Sequence, residues 1–175
     1  MGTPLAYLLT WTCFGTWLPG DARGSFDRGR GLAPPCELRE EINRFRMASN
    51  ALVFTSAERR CVQVAIREHC AHRGWWLGAC NVRTNHLHCV VAAPGRSPEL
   101  AMKHLKTWST RALRRRDNAR FAHRVWTRHG STRYLWSRDD VAGAMQYVLE
   151  AQDDPRRWER SQPRSGERGP GDGAH

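Results

Sequence analysis

The 175-residue chain has no run of about 18 apolar residues, so nothing in it predicts a transmembrane helix. Met1–Gly20 lacks the basic n-region and the long Leu/Ala run of an export signal. Together these absences point to a cytoplasmic protein with no membrane partner. The six cysteines, Cys13, Cys36, Cys61, Cys70, Cys80 and Cys89, include no CxxC pair. Without export they are expected to be reduced and mostly buried, and a zinc site built from them is the weaker reading. Lysine is nearly missing, with two Lys beside 26 Arg. No internal repeat is visible.

The charge is abundant but one-sided, at a formal +11 with histidine neutral and a pI near 10.4. Residues 103–138 hold eleven Lys or Arg and one acid, Asp117, so nearly all the excess lies there. Charge so localised costs self-repulsion unless a polyanion neutralises it. The guanidinium fork also suits a phosphodiester. A solvated helix face is the plainer alternative, and nucleic-acid contact is the better reading. Residues 153–175 balance five Arg against five acids and are rich in Pro, Gly and Ser. They predict a disordered charged tail behind a single domain over 1–152.

Leu5–Phe14 is apolar and β-prone and predicts a first strand. The segment Asp21–Pro35, with three Gly and two Pro, predicts a loop. Cys36–Ser49 has partial helical periodicity. Thr55-Ser-Ala-Glu58 is a capping box for a helix to about His72, with Val62, Ala65, Ile66, His69 and Cys70 on its buried stripe. Trp75–Arg83 and His86–Ala93 predict a hairpin about Thr84-Asn85. Ser97-Pro98 starts a helix to about Arg116. Leu100, His104, Trp108 (or Thr107) and Leu113 give that helix an apolar face. Arg133–Trp136 reads as a short strand, and Ser137–Asp140 caps a last helix to about Ala151. The series predicts an α+β, ferredoxin-like sandwich: a four-stranded antiparallel sheet, two helices on one face and the last helix on the other.

Strand alternation puts His86 and His88 on one face and Leu87 and Cys89 on the other. Hairpin pairing sets Arg83 opposite His86, Asn81 opposite His88 and Cys80 opposite Cys89. Two imidazoles on one face are able to chelate one metal ion, given a further ligand. Two half-buried histidines satisfied by local hydrogen bonds are the bland alternative. On the last helix Tyr147 and Glu150 are three apart and share a face. A phenol is a poor nucleophile at neutral pH, and a nearby divalent cation makes its attack on phosphorus feasible.

Six segments in order resemble the REP-associated tyrosine transposases of the single-tyrosine HUH (IS200-like) superfamily. They are Thr10–Asp21, Arg73-Gly-Trp75, Asn85-His-Leu-His88, Lys106-Thr-Trp108, His129–Trp136 and Tyr147–Gln152. The resemblance implies a DNA endonuclease and strand-transferase acting on single-stranded or hairpin DNA through a 5′-phosphotyrosine. His86 and His88 match the metal ligands, Tyr147 matches the nucleophile, and Mg²⁺ or Mn²⁺ is the implied ion. The third ligand of such relatives often lies four residues after the tyrosine, where this chain has Ala151. Gln152 has the family's residue type and Glu150 keeps the helical face, so both stand as candidates. Lys103, Lys106, Arg111, Arg114, Arg115, Arg133 and Arg83 are the expected DNA-binding cations. Trp108, Trp126 and Trp136 are candidates for stacking on unpaired bases, although Trp136 reads better as core. Gly15–Asp21 shapes either a loop near DNA entry or a mere tight turn. The acting unit is expected to be a monomer, with a homodimer as the alternative.

Two other functions compete. A non-catalytic DNA- or RNA-binding module derived from such a transposase would explain Ala151. A His-x-His-x-His nucleotide hydrolase is disfavoured by Val90 at the third histidine position.

Overall fold

The computed structural model describes residues 2–150 apart from 23, 28–30, 48 and 49. The expected tail and Gln152 therefore lie outside the described residues. The chain runs β1 (Ala6–Thr12), β2 (Ser25–Asp27), β3 (Gly31–Ala33), α1 (Glu37–Phe45), α2 (Ser56–His72), β4 (Trp76–Val82) and β5 (His86–Ala92). It ends α3 (Pro98–Arg116), β6 (Ser131–Leu135) and α4 (Arg138–Glu150). The main sheet is antiparallel in the order β4-β5-β1-β6, which is the predicted ferredoxin-like arrangement.

Alternation along the strands builds two cores. Leu9, Trp11, Leu87, Cys89 and Val91 bury one face against Val62 and Ile66 of α2 and Leu105 and Leu113 of α3. Ala6, Leu8, Val90 and Leu135 bury the other against Ala144 and Val148 of α4. Full burial of each large aliphatic side chain is worth about 1.5–3 kcal/mol, so the first core carries most of the stability. The smaller core fixes α4. Asn81 adds a polar tie there, its Nδ2 donating to the Val148 carbonyl at 3.2 Å in the helix's last turn.

Local chemistry explains most boundaries. Thr55 and Glu58 form the reciprocal capping box of α2, and Gly74, at φ +64°, follows the helix. Ser97 Oγ accepts from Leu100 N with Pro98 in the first turn of α3. Asp140 Oδ2 accepts from the backbone of Trp136 and Ser137, while Ser137 Oγ accepts from Asp140 N.

Three expectations are corrected. The segment Asp21–Pro35 is not simply a loop, because β2 and β3 pair within it. The buried stripe of α3 is Pro98, Ala101, Met102, Leu105, Ser109, Ala112 and Leu113, not the face through Leu100, His104 and Trp108. Leu113 of the predicted face is buried on that stripe, while Leu100, His104 and Trp108 are half-buried at its margins. Trp136 is 55 % exposed and is no core residue. The six cysteines are free, with Cys13, Cys70 and Cys89 buried. Among the described residues, no helix is long and apolar enough to cross a membrane.

His69 is buried between the rings of Trp108 (5.0 Å) and His104 (5.6 Å), with the Trp75 ring edge-on. Neither of its ring nitrogens has a hydrogen-bond partner. Burial first, then the positive fields of His104, Arg73 and His72, pull its pKa down to about 4. The unfolded chain, titrating near 6.5, takes up a proton that the folded chain refuses. Stability is therefore full above about pH 6.5, falls as the pH drops toward 4, and loses nothing further from this group below. Urea melts at pH 7 and pH 4.5 are expected to differ in midpoint, and the difference should shrink in His69→Leu. Removing the polar tie at α4 is expected to cost about 1 kcal/mol in Asn81→Ala. Amide exchange in the last turn of α4 should quicken while that of α2 stays unchanged.

Candidate active site

β5 delivers the two histidines. It lies between β1 and β4 in the register Thr10↔His88, Thr12↔His86 and Asn81↔His88. The Cys80↔Cys89 pair falls on the opposite, helix-packed face, as the hairpin register predicts. Arg83 N donates to His86 O across the turn at 2.8 Å. The rings of His86 and His88 lean together, centroid to centroid 4.9 Å at 82°. Tyr147 reaches the same place from α4, its ring 5.6 Å from that of His88 and nearly perpendicular at 85°. Elements far apart in sequence thus bring together the three side chains that the sequence singles out.

Both imidazoles are held by their Nδ1 atoms, His86 to Asn85 Oδ1 at 2.7 Å and His88 to Thr10 Oγ1 at 2.7 Å. The turn bearing Asn85 is itself pinned to the end of β1. Cys13 N donates to the Asn85 carbonyl at 2.7 Å, and the Thr16 hydroxyl donates to it at 3.2 Å. Of the Gly15–Asp21 segment, Thr16 thus backs the turn that carries the partner of His86. Gly130 sits directly behind Thr10, where an added Cβ would meet the Thr10 carbonyl oxygen at 2.5 Å.

The electrostatics suit metal ligation. Burial pushes the His88 pKa down to about 3, with His86 and Arg83 acting the same way, so its ring is neutral. A neutral imidazole held at Nδ1 takes a cation through Nε2. His86 and His88 are the residues able to hold a divalent ion. Burial also raises the Tyr147 pKa, so the phenol keeps its proton at neutral pH.

Of the two candidates for a third ligand, only Glu150 lies among the described residues. Its Oε2 accepts from Gln146 Nε2 at 3.0 Å on the exposed side of α4. Among the described residues, no group of three His, Cys, Asp or Glu side chains is placed to hold a metal. Gln152 lies outside the described residues. Asn81, opposite His88, and Thr10 are contributors that the motifs alone did not assign. Pairing register is the signal that finds them.

The expected DNA-binding residues divide. Lys103 is exposed and lines a cavity of about 500 Å³ with Lys106, Arg128 and His129. The Lys106 ammonium donates to the carbonyls of Thr127 and His129, each at 3.0 Å, and lies over the Trp11 ring. Burial lowers its pKa to about 8. It is a structural cation as much as a surface one. Arg114 likewise donates to the Phe121 and Ala122 carbonyls. Arg111 sits over the Trp108 ring at 5.3 Å, and Arg115 is exposed beside Arg60 and Arg116. Trp108 is stacked on His69, and Trp126 is buried against Trp11 and Phe54. Neither indole stands as an open stacking platform. Arg133, paired with Leu8, falls on the sheet face of α4. The cations of α3 and the His–His–Tyr group thus occupy opposite faces of the sheet.

Comparisons with known proteins agree with this architecture. A family model described as "Transposase IS200 like" matches residues 45–143. A crystal structure of a protein assigned as a transposase from Deinococcus radiodurans R1 aligns with a TM-score of 0.50 at 16 % identity, covering 85 % of this chain and 91 % of that one. The structure of a REP-associated tyrosine transposase bound to a REP hairpin aligns with a TM-score of 0.50 at 10 % identity, covering 85 % of this chain and 67 % of that one. At such identities the likeness is one of fold. Curated proteins give no match. The family match spans more than half of the chain and includes both histidines of β5, and on that basis the chain belongs to the IS200-like transposases.

Proposed function

We propose that this transposase cuts and rejoins single-stranded or hairpin DNA through a covalent 5′-phosphotyrosine at Tyr147, with a divalent cation, Mg²⁺ or Mn²⁺, held by His86 and His88. The observation that carries the reading is the convergence of the Tyr147 ring on the paired imidazoles, 5.6 Å from His88. The REP hairpin on a structural neighbour supports DNA as the partner. The strongly basic composition supports it too.

In the proposed step the Tyr147 oxygen attacks a backbone phosphorus in line. The Oη–P bond forms and the P–O3′ bond breaks. The phenol loses a proton and the departing 3′ oxygen gains one, so the proton count is unchanged. The phosphodiester energy is kept in the phosphotyrosine, and a 3′-hydroxyl later reverses the exchange without an outside energy source. When bound, the cation polarises the phosphoryl oxygen and neutralises developing charge. The chain's own part is to aim the two rings through Asn85 and Thr10, keep His88 neutral and hold the phenol beside them.

The test is the covalent adduct. Wild-type protein incubated with a labelled hairpin oligonucleotide and Mn²⁺ is expected to give a band stable to denaturing electrophoresis. EDTA should abolish it, and Tyr147→Phe should reduce it at least 1,000-fold, to background. An equal band from Tyr147→Phe would remove the proposal. Hairpin affinity with neither metal uptake nor adduct would leave a non-catalytic binding module. Thr10→Val, which keeps shape but loses the bond to His88, is expected to weaken Mn²⁺ binding about 10–100-fold by calorimetry.

A further inference from the structure

The sheet separates the chemistry from most of the cationic surface. His86, His88 and Tyr147 lie on the α4 face, while Lys103, Arg111 and Arg115 project from α3 on the other. One strand of DNA touching both has to pass around a sheet edge. α3 packs beneath β1 and β6, so the edge on its side is β6.

β6 is built for such a passage. Ser131 pairs with Thr10, the residue that holds His88. By alternation Thr132 and Tyr134 face the α3 side. Thr132 lines the 500 Å³ cavity that also holds Glu99, Lys103, Lys106, Arg128 and His129. Further along, the Tyr134 and Trp136 rings stack on each other, 5.8 Å apart at 14°, and remain 43 % and 55 % exposed. The pair is braced. The Tyr7 ring meets Tyr134 edge-on at 5.4 Å, and the Trp136 backbone N–H donates to Asp140 Oδ2. Two large aromatics left open on an edge strand and just past its end leave apolar area for a partner to cover. Beside a basic cavity they form the combination that binds unpaired nucleotides: charge for the backbone and flat faces for the bases.

We infer that the β6 edge is a track for single-stranded DNA flanking the cleavage site, with Trp136 and Tyr134 as the stacking platform and the Lys103 cavity as the backbone anchor. The inference rests on the proposed DNA-cutting function and adds where the unpaired flank lies. From Ser131 to Trp136 the track runs on the order of 17 Å, which is room for a few stacked bases at about 3.4 Å each.

The full chain is titrated with two hairpins, one blunt and one with an unpaired extension carrying 2-aminopurine, and anisotropy and 2-aminopurine quenching are read together. Wild type is expected to prefer the extended hairpin and to quench the probe at one or two positions. Trp136→Ala should lose about 5–150-fold in affinity for the extended hairpin, together with the quenching, and leave the blunt hairpin unchanged. Trp136→Phe should restore much of both. Lys103→Gln should lower the salt slope on the extended hairpin by about 0.7, the value of one single-strand phosphate contact. If Trp136→Ala binds the extended hairpin as wild type does, or weakens both hairpins equally, the track is overturned while the cutting proposal stands. If wild type binds neither hairpin and forms no adduct, both fall.

Discussion

The pairing of β5 between β1 and β4 is the constraint on which the molecule's chemistry depends. Strand side chains alternate, so a slip of one residue would send both imidazoles into the α2–α3 core and bring Leu87 and Cys89 to the surface of α4. Nothing in the His-Leu-His triplet prevents that slip. The core does, because Leu87, Cys89 and Val91 are all essentially inaccessible to water and have no other place to go. Hydrophobic burial on one side of the sheet thereby sets polar geometry on the other.

The site is then refined by hydrogen bonds that are individually small. Asn85 and Thr10 each hold one Nδ1, and the Asn85 carbonyl is itself gripped from the end of β1. Asn81 fastens the turn of α4 that follows Tyr147. Such bonds contribute little to overall stability, yet they decide where a ring nitrogen points. For the proposed phosphoryl transfer, that orientation matters more than added stability.

Much of this was legible in the residues. The capping box at Thr55, the Ser97-Pro98 start and the turn at Thr84-Asn85 are local signals, and the structure has them where they read. The hairpin register followed from them, and with it the shared face of His86 and His88. The illegible parts depended on tertiary context. Leu100 and Trp108 are more apolar than Ala101, Ser109 and Ala112, yet the smaller residues are the buried ones, because the helix's rotation against its neighbours decides which face is covered. The short β2–β3 ribbon lies in a Gly-rich stretch that reads as loop. Trp136 looked like core because tryptophan usually is, whereas Trp126, with the same chemistry, is buried at 6 % exposure. Lys106 and Arg114 read as surface cations, and their carbonyl partners come from segments whose position the sequence pattern does not carry.

Gly130 shows how far the centre's mechanical frame extends. Its missing side chain lets the β6 edge close on the backbone of Thr10, and that backbone carries the hydroxyl holding His88. A single methyl at this place would press on a peptide oxygen, which yields far less readily than the end of a flexible side chain. The imidazole would be moved by a residue that never approaches it. Tolerance to variation at this position is therefore set from within, by steric room at the back of the sheet.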